Sequence, residues 1–227
     1  ESLNNLTTQY GYDPNDNLTT ITNAKNGITS LGYDFQNDFL TSVSFGGYSD
    51  TYTYEDDGRL KTHTDQKNQN FTNFYDSQGR LQSVSVSGEN VAYTYDDNNN
   101  VTSVSNTNGT ISFTYDDLNR ITSTTDYWGN TVQYAYDAAS NLSSMQYPGN
   151  KTVNYSYDDD NLLHSVTDWN SNTTSYTYRD DGLISRIDYP NGTYCVFTYD
   201  NAGRMTGMGW KKSNGSIIND YTFTLDP

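Results

Sequence analysis

Acidic residues occur in short polar stretches whose carboxylates could offer oxygen ligands to a calcium ion. The densest stretches are residues 13–17, 96–100 and 158–160. A calcium loop needs several converging oxygens, and an EF-hand loop adds a glutamate at its last position. None of the three stretches has that glutamate, whereas Asp and Asn are typical of tight turns. We therefore predict solvated turns at these positions, and we expect no metal or other cofactor.

Arginine side chains offer a second chemistry, the binding of anions or glycans. Four of them follow a Tyr-Asp or Tyr-Glu pair at the same spacing: Arg59, Arg80, Arg120 and Arg204. The alternative is ion pairing with aspartates of neighbouring structural units, and the formal net charge of −16 favours it. That charge also argues against a nucleic-acid partner or an anionic lipid surface. No apolar run is long enough to be a membrane helix, so we expect no membrane insertion.

Nucleophiles and general bases are scarce. The chain has two histidines, His63 and His164, and one cysteine, Cys195. We expect His63 and Cys195 to lie on an apolar strand face and His164 to be exposed. A thiol on an apolar face is inert, and neither histidine accompanies a plausible nucleophile. We therefore predict no catalytic residue and no enzymatic activity.

Aromatic residues of the C-terminal half could bind a glycan or a partner protein. They lie just before or within turns, with the three tryptophans spaced by 41 residues: Tyr127, Trp128, Tyr147, Trp169, Tyr189 and Trp210. Flat rings stack on sugar rings and anchor protein partners. The alternative is ordinary packing, because strand alternation directs Tyr147, Tyr189 and Trp210 inward. It leaves Tyr127 and Trp169 facing out, so both interpretations stay open.

A repeat of 20 or 21 residues organises all of these side chains. We call the tyrosine that recurs at this step the key tyrosine, and in nine of ten repeats an acidic residue follows it. The ten key tyrosines are Tyr12, Tyr33, Tyr54, Tyr75, Tyr95, Tyr115, Tyr136, Tyr157, Tyr178 and Tyr199. The repeat covers almost the whole chain. We therefore predict a single array over residues 1–227, and we expect it to be a fragment of a larger protein.

Each repeat has the pattern of one β-hairpin. Apolar or aromatic residues at the key tyrosine and two and four residues before it share one strand face. Gly, Asn or Asp four residues after it tolerates a left-handed backbone, and Asp directly after it can start a type I turn. An apolar residue six positions after the key tyrosine opens the return strand. The next apolar position comes after a step of three, which predicts a bulge.

About twenty such strands predict an all-β chain of tandem antiparallel hairpins. Open sheets rarely exceed about 10 strands without curling or splitting, and strand twist supplies the curl. We therefore predict a spiral or a partial shell with its apolar face inward.

The sequences YEDDGRL, YDSQGRL and YDNAGRM resemble the YD-repeat or RHS-repeat family, and the resemblance spans essentially the whole chain. It implies bacterial wall-associated and polymorphic-toxin proteins, insecticidal toxin complexes and the teneurin adhesion receptors. In those proteins the hairpins wind into a hollow shell, which in the toxins can enclose a C-terminal toxic domain.

Three functional hypotheses follow. The first is a non-enzymatic scaffold segment of a large secreted or cell-surface bacterial protein, in contact with other segments of the same parent. The second is a carbohydrate- or cell-surface-binding module that uses the row of turn aromatics. The third is part of a shell that encapsulates a C-terminal toxin domain.

Overall fold

The computed structural model describes residues 7–224, and it contains 21 β-strands and no helix in that range. Within the same range there is consequently no helix long and apolar enough to span a membrane. The predicted all-β class is confirmed, as is the array of antiparallel hairpins. The chain divides into two compact units, residues 1–111 and 112–227. Residues 1–6 and 225–227 of the predicted single array lie outside the described residues.

The N-terminal unit is an antiparallel meander in which each strand from β1 to β9 pairs with the next one along the chain. Its strands are β1 Gln9–Tyr12, β2 Leu18–Thr22, β3 Ile28–Tyr33, β4 Leu40–Phe45, β5 Tyr48–Tyr54, β6 Leu60–Thr64, β7 Asn70–Tyr75, β8 Leu81–Val86, β9 Glu89–Tyr95 and β10 Val101–Asn106. The boundary between the units falls within β11, Gly109–Tyr115.

The C-terminal unit repeats the same arrangement, with each strand from β11 to β20 paired to the next. Its further strands are β12 Ile121–Thr125, β13 Thr131–Tyr136, β14 Leu142–Tyr147, β15 Lys151–Tyr157, β16 Leu163–Thr167, β17 Thr173–Tyr178, β18 Ile184–Asp188, β19 Tyr194–Tyr199, β20 Met205–Lys211 and β21 Ile217–Thr222.

Turns alternate along both units. A first turn follows each key tyrosine within a hairpin, and a second turn joins one repeat to the next. The first turn at Asp76 is typical: the Asp76 and Gly79 amides donate to the Arg80 and Asp76 carbonyls, respectively. Gly79 has φ +82°. These bonds define the predicted three-residue loop, in which a type I turn ends on a left-handed residue.

The predicted bulge is confirmed at all ten key tyrosines. The strand register shifts between each key tyrosine and the residue before it. In the hairpin of Tyr136, for example, Ala135 pairs with Ser144 and Tyr136 pairs with Leu142, so Ser143 has no partner across the ladder. The bulge accounts for the apolar step of three, because it returns the following side chains to the apolar face.

One predicted turn position is wrong. The left-handed residue of the second repeat is Asp38, at φ +55°, and not Asn37. Here Tyr33 pairs with Leu40, seven residues on, and the Asp34 amide donates to the Phe39 carbonyl. The loop is therefore one residue longer than in the other repeats.

The apolar side chains of each unit are mostly half-buried. Among the described residues the buried hydrophobic side chains are Val153 and Cys195. Burial of Cys195 confirms its predicted place, and burial raises the pKa of its thiol. The fold consequently depends on contacts between neighbouring hairpins as well as on apolar burial.

Candidate functional site

Eight key tyrosines link their hairpin to the one before it, a role that sequence analysis missed. Eight of them donate a hydroxyl hydrogen bond to the backbone carbonyl that opens the return strand of the preceding repeat, over 2.7 to 3.1 Å. Tyr95, for example, donates to the Leu81 carbonyl at 2.7 Å. Burial raises the pKa of Tyr95, so its hydroxyl stays protonated and able to donate. We call these eight bonds the tyrosine ladder.

The arginines add a second link between repeats. The predicted pairing with an aspartate of a neighbouring hairpin is wrong, because Arg80 and Arg120 bind the aspartate of their own turn, each at 2.7 Å. The contacts to the next repeat are instead hydrogen bonds and stacking on its key tyrosine. Arg80 donates to the Asp96 carbonyl and the Asn99 side chain, and Arg120 donates to the Ser140 hydroxyl. The guanidinium carbon of Arg80 lies 4.6 Å from the Tyr95 ring centre, and that of Arg120 lies 4.5 Å from the Tyr136 ring centre. The intra-turn pair anchors each guanidinium within the distance of a cation–π contact.

The acidic turns are occupied by their own backbones. The Asp116 carboxylate accepts the Leu118 and Arg120 amides and the Arg120 side chain. The hydrogen bond from the Arg120 side chain holds the pKa of Asp116 below its usual value, with the backbone bonds acting in the same direction. Within residues 7–224, no group of three or more His, Cys, Asp or Glu side chains is placed to hold a metal ion.

The two histidines belong to different units. His63 is half-buried between the Tyr52 and Phe71 rings, whose centres are 4.9 and 5.5 Å away, and its Nε2 lies 3.3 Å from Asp50. His164 is exposed, as predicted. His164 borders an open groove of about 620 Å³ that also includes Asp158. Neither histidine is paired with a nucleophile in the described part of the chain.

Two of the six predicted aromatics form an exposed pair in the turn that directly follows β12, which is a second turn and joins two repeats. The centres of the Tyr127 and Trp128 rings are 3.7 Å apart, and the two residues are 46% and 72% exposed, respectively. Asp126 fixes this turn, because its carboxylate accepts the amides of Trp128 and Asn130 and the Asn130 side chain. The side-chain bond from Asn130 is the main cause that lowers the pKa of Asp126. A large apolar surface is thus held in water on a rigid turn.

The other four aromatics are less exposed or serve packing. Tyr147 meets the edge of Trp169 with ring centres 6.2 Å apart, and the ammonium of Lys151 lies 5.4 Å from the Trp169 ring centre. Trp210 packs on Tyr221, and Tyr189 is a half-buried residue that opens its turn. Ring contacts therefore pair Tyr127 with Trp128 and Tyr147 with Trp169, whereas Trp210 contacts Tyr221 outside the set, so the described ring contacts form no continuous row. Their binding of a ligand stays a prediction.

A shallow groove of about 290 Å³ lies between the second turns that follow β12 and β14, and sequence analysis missed it. Amide side chains line it, together with Tyr147: Asn130, Gln133, Gln146 and Asn150. Gln133 and Gln146 are opposite each other on β13 and β14. They also line an adjoining hollow of about 210 Å³. The repeat period gives this register, so the glutamine pair could have been found from the sequence.

Two family models match this chain. The Teneurin YD-shell model matches residues 127–214, and the RHS Repeat model matches residues 75–111 and 95–128. Together they cover residues 75–214, which is 140 of the 227 residues. The chain belongs to the YD/RHS-repeat family. YD/RHS shells are generally structural proteins, and the tyrosine ladder explains why the tyrosine recurs in each YD repeat.

Solved structures with a similar fold come from Tc toxins. A crystal structure of a TcdB2-TccC3-Cdc42 complex has a TM-score of 0.59 and 18% identity, over 92% of this YD-repeat chain and 14% of that chain. A Tc holotoxin pore from Photorhabdus luminescens has a TM-score of 0.55 and 17% identity, over 95% and 15% of the two chains. The YD-repeat chain thus spans only a small part of these relatives. No curated protein sequence matches it significantly.

Proposed function

We propose that this chain is a non-enzymatic scaffold segment of a large secreted or cell-surface bacterial protein, and that its hairpins coil into part of a shell. Its partners are then other segments of the same parent protein. The observation that carries the proposal is the tyrosine ladder, in which eight key tyrosines bind the preceding repeat. The repeated Tyr, Asp and Arg side chains described above stabilise turns or link repeats.

Removal of ladder hydroxyls tests the scaffold role. The substitutions Tyr95→Phe, Tyr136→Phe and Tyr178→Phe each remove one ladder bond and keep the ring. A hydrogen bond of this kind contributes about 1 kcal/mol, so we expect the triple variant to lose about 3 kcal/mol of unfolding free energy. Denaturant unfolding of the chain measures that loss. The rate of protease digestion of the secreted parent shows whether the repeats unfold locally more often in the variant.

The matched control is the triple variant Tyr93→Phe, Tyr134→Phe and Tyr176→Phe. Each of these tyrosines lies two residues before a ladder tyrosine on the same strand, and its hydroxyl makes no hydrogen bond to another described residue. We expect this variant to keep the unfolding free energy within about 1 kcal/mol of the parent chain. Equal losses in both triple variants would contradict the ladder as the link between repeats.

A second candidate function is recognition of a glycan or a cell-surface protein by the turn aromatics. The observation in its favour is the exposure of Trp128 at 72% and of Trp169 at 48%. A glycan array, or a screen of cell-surface proteins, with the chain and with Trp128→Ala and Trp169→Ala tests it. If both variants bound as the parent chain does, this candidate would be rejected.

A third candidate is a shell wall around a C-terminal toxin domain. The similarity of fold to Tc toxin structures supports it, with TM-scores of 0.55 to 0.59 for the two described above. The sequence of the parent downstream of residue 227 decides this candidate. A parent without a distinct downstream domain would exclude it.

A further inference from the structure

The groove between the second turns after β12 and β14 has a neutral, polar lining. Its lining residues include four amides, Asn130, Gln133, Gln146 and Asn150, and none of its lining side chains carries a charge. The chain as a whole has a net charge of −16. An uncharged groove in so acidic a protein does not favour ions, and it leaves neutral polar ligands as the matching class.

Three of these amides keep all their hydrogen-bonding groups available. The side chains of Gln133, Gln146 and Asn150 make no hydrogen bond to another residue in the described range. A carboxamide has two N–H donors and an oxygen acceptor, so it can donate to one hydroxyl of a sugar and accept from another. Gln133 and Gln146 are directly opposite on paired strands, which places two such groups side by side.

Aromatic residues adjoin the amides along the chain. Trp128 directly precedes Gly129, which lines the groove; it is 72% exposed, and its amide is bound by Asp126 in the same turn. On the other side Tyr147 lines the groove and contacts Trp169. A rigid exposed ring beside polar groups matches a sugar, which has an apolar C–H face and a hydroxyl edge.

We propose that this groove binds a neutral carbohydrate, with Gln133, Gln146 and Asn150 hydrogen bonding to its hydroxyls and Trp128 stacking on a ring. The proposal rests on the second candidate function and narrows it to one groove, with the ligand class set by the amides. Tyr189 and Trp210 have no part in it. The groove is compatible with the scaffold role, since its side chains are not those of the tyrosine ladder.

An array of neutral oligosaccharides tests the proposal, with sialylated and sulfated forms of the same glycans as charged comparators. The array carries glycans that end in glucose, galactose, mannose and N-acetylglucosamine, and the full chain is the probe. We expect binding to neutral glycans and no gain from added charge. Calorimetry with the strongest neutral glycan then gives an affinity for each variant.

Two variants and two controls locate the site. Trp128→Ala and the double variant Gln133→Ala with Gln146→Ala are each expected to weaken binding by about tenfold or more. The controls are Phe35→Ala, which removes a 97% exposed turn aromatic, and Gln78→Ala with Gln82→Ala, which removes two exposed glutamines. We expect both controls to bind within about twofold of the parent chain. An unchanged thermal unfolding midpoint shows that each variant is folded.

The proposal is overturned if no neutral glycan binds, if only charged glycans bind, or if both groove variants bind as the controls do. A cell-surface protein whose binding depends on Trp128, without any glycan, would also overturn it while leaving the second candidate function in place. Failure of the groove test does not affect the scaffold role, which is measured by unfolding.

Discussion

At the scale of single residues, the aspartate that follows the key tyrosine makes most of the contacts that hold the first turn. In the sixth repeat Asp116 accepts two backbone amides and the side chain of Arg120. Asp117 is its direct neighbour in the same turn and makes no hydrogen bond or ion pair to another described residue. The two residues have the same chemistry and different contacts, so they form a natural test pair.

The lowered pKa of Asp116 predicts how its contribution depends on pH. Its usual value is 3.8, and the folded value is lower because the carboxylate binds Arg120. A depressed folded pKa stabilises the fold above the unfolded pKa, and this stability is lost as pH falls through the folded pKa. We therefore expect Asp116→Asn to lower the thermal midpoint at pH 7, and the difference from the parent chain to shrink below pH 3.8.

Thermal scans of both chains from pH 7 to pH 2 check this prediction, with Asp117→Asn as the control. Each substitution removes one negative charge, so the control corrects for the general repulsion within the acidic chain. We expect the control substitution to leave the midpoint nearly unchanged at every pH. A pH-independent difference for Asp116→Asn, or equal effects of the two substitutions, would show that the carboxylate contact is not the cause.

Residue roles were predictable from the sequence where a local rule decides them. Asp in the turn and Cys195 on an apolar face follow from turn chemistry and alternation. The tyrosine hydroxyl was not predictable in this way, because its acceptor is a carbonyl of the preceding repeat, for example that of Leu81 for Tyr95 and that of Leu60 for Tyr75. The prediction of the arginine partners was wrong for a related reason. An arginine near several aspartates in the repeat pattern is expected to form an ion pair. Only the strand register of the folded chain shows which aspartate is its partner.

At the scale of the hairpin, the left-handed residue of the first turn fixes the strand register. Gly182 has φ +79°, and an added Cβ there would meet no heavy atom within 4 Å. Asn161 has φ +60° at the same position of the previous repeat. A side chain added at Gly182 would therefore cause backbone strain without a steric clash. Asn161 is a residue with a side chain that already adopts the same left-handed conformation.

Substitution Gly182→Ala should destabilise the chain by about 1–2 kcal/mol, because an L-residue with a Cβ is disfavoured in the left-handed region. The reverse change, Asn161→Gly, should alter the unfolding free energy by no more than about 0.5 kcal/mol, because asparagine already tolerates this region. Denaturant unfolding measures both. A neutral Gly182→Ala would mean that the turn can adopt another conformation, and it would remove the reason for glycine in the repeat.

Hairpins, turns and bulges were predictable because each depends on residues close in sequence. The one failure, Asn37 in place of Asp38, has a local cause as well. The second repeat holds one extra residue in its loop, and the constant step of 21 between Tyr33 and Tyr54 hides it. A count from the key tyrosine to the next apolar residue would not have revealed it, because Phe39 is itself apolar.

At the scale of the whole molecule, stability is distributed along the chain. Buried hydrophobic side chains are few among residues 7–224, and eight ladder bonds of similar length recur through both units. A repeat array of this kind has stability that is roughly a sum of repeat and neighbour terms. The repeat of 20 or 21 residues made this array of tandem hairpins predictable from the sequence. The groove was harder to predict, since it depends on two turns that belong to different repeats.

The most direct test of the scaffold role is electron cryomicroscopy of the proposed parent protein at a resolution that traces strands. We expect the hairpins of residues 7–224 to be continuous with neighbouring hairpins and to form part of a shell wall, with each key tyrosine directed at the preceding repeat. A parent in which this chain stands apart as a separate module, without strand pairing to other segments, would contradict the scaffold role.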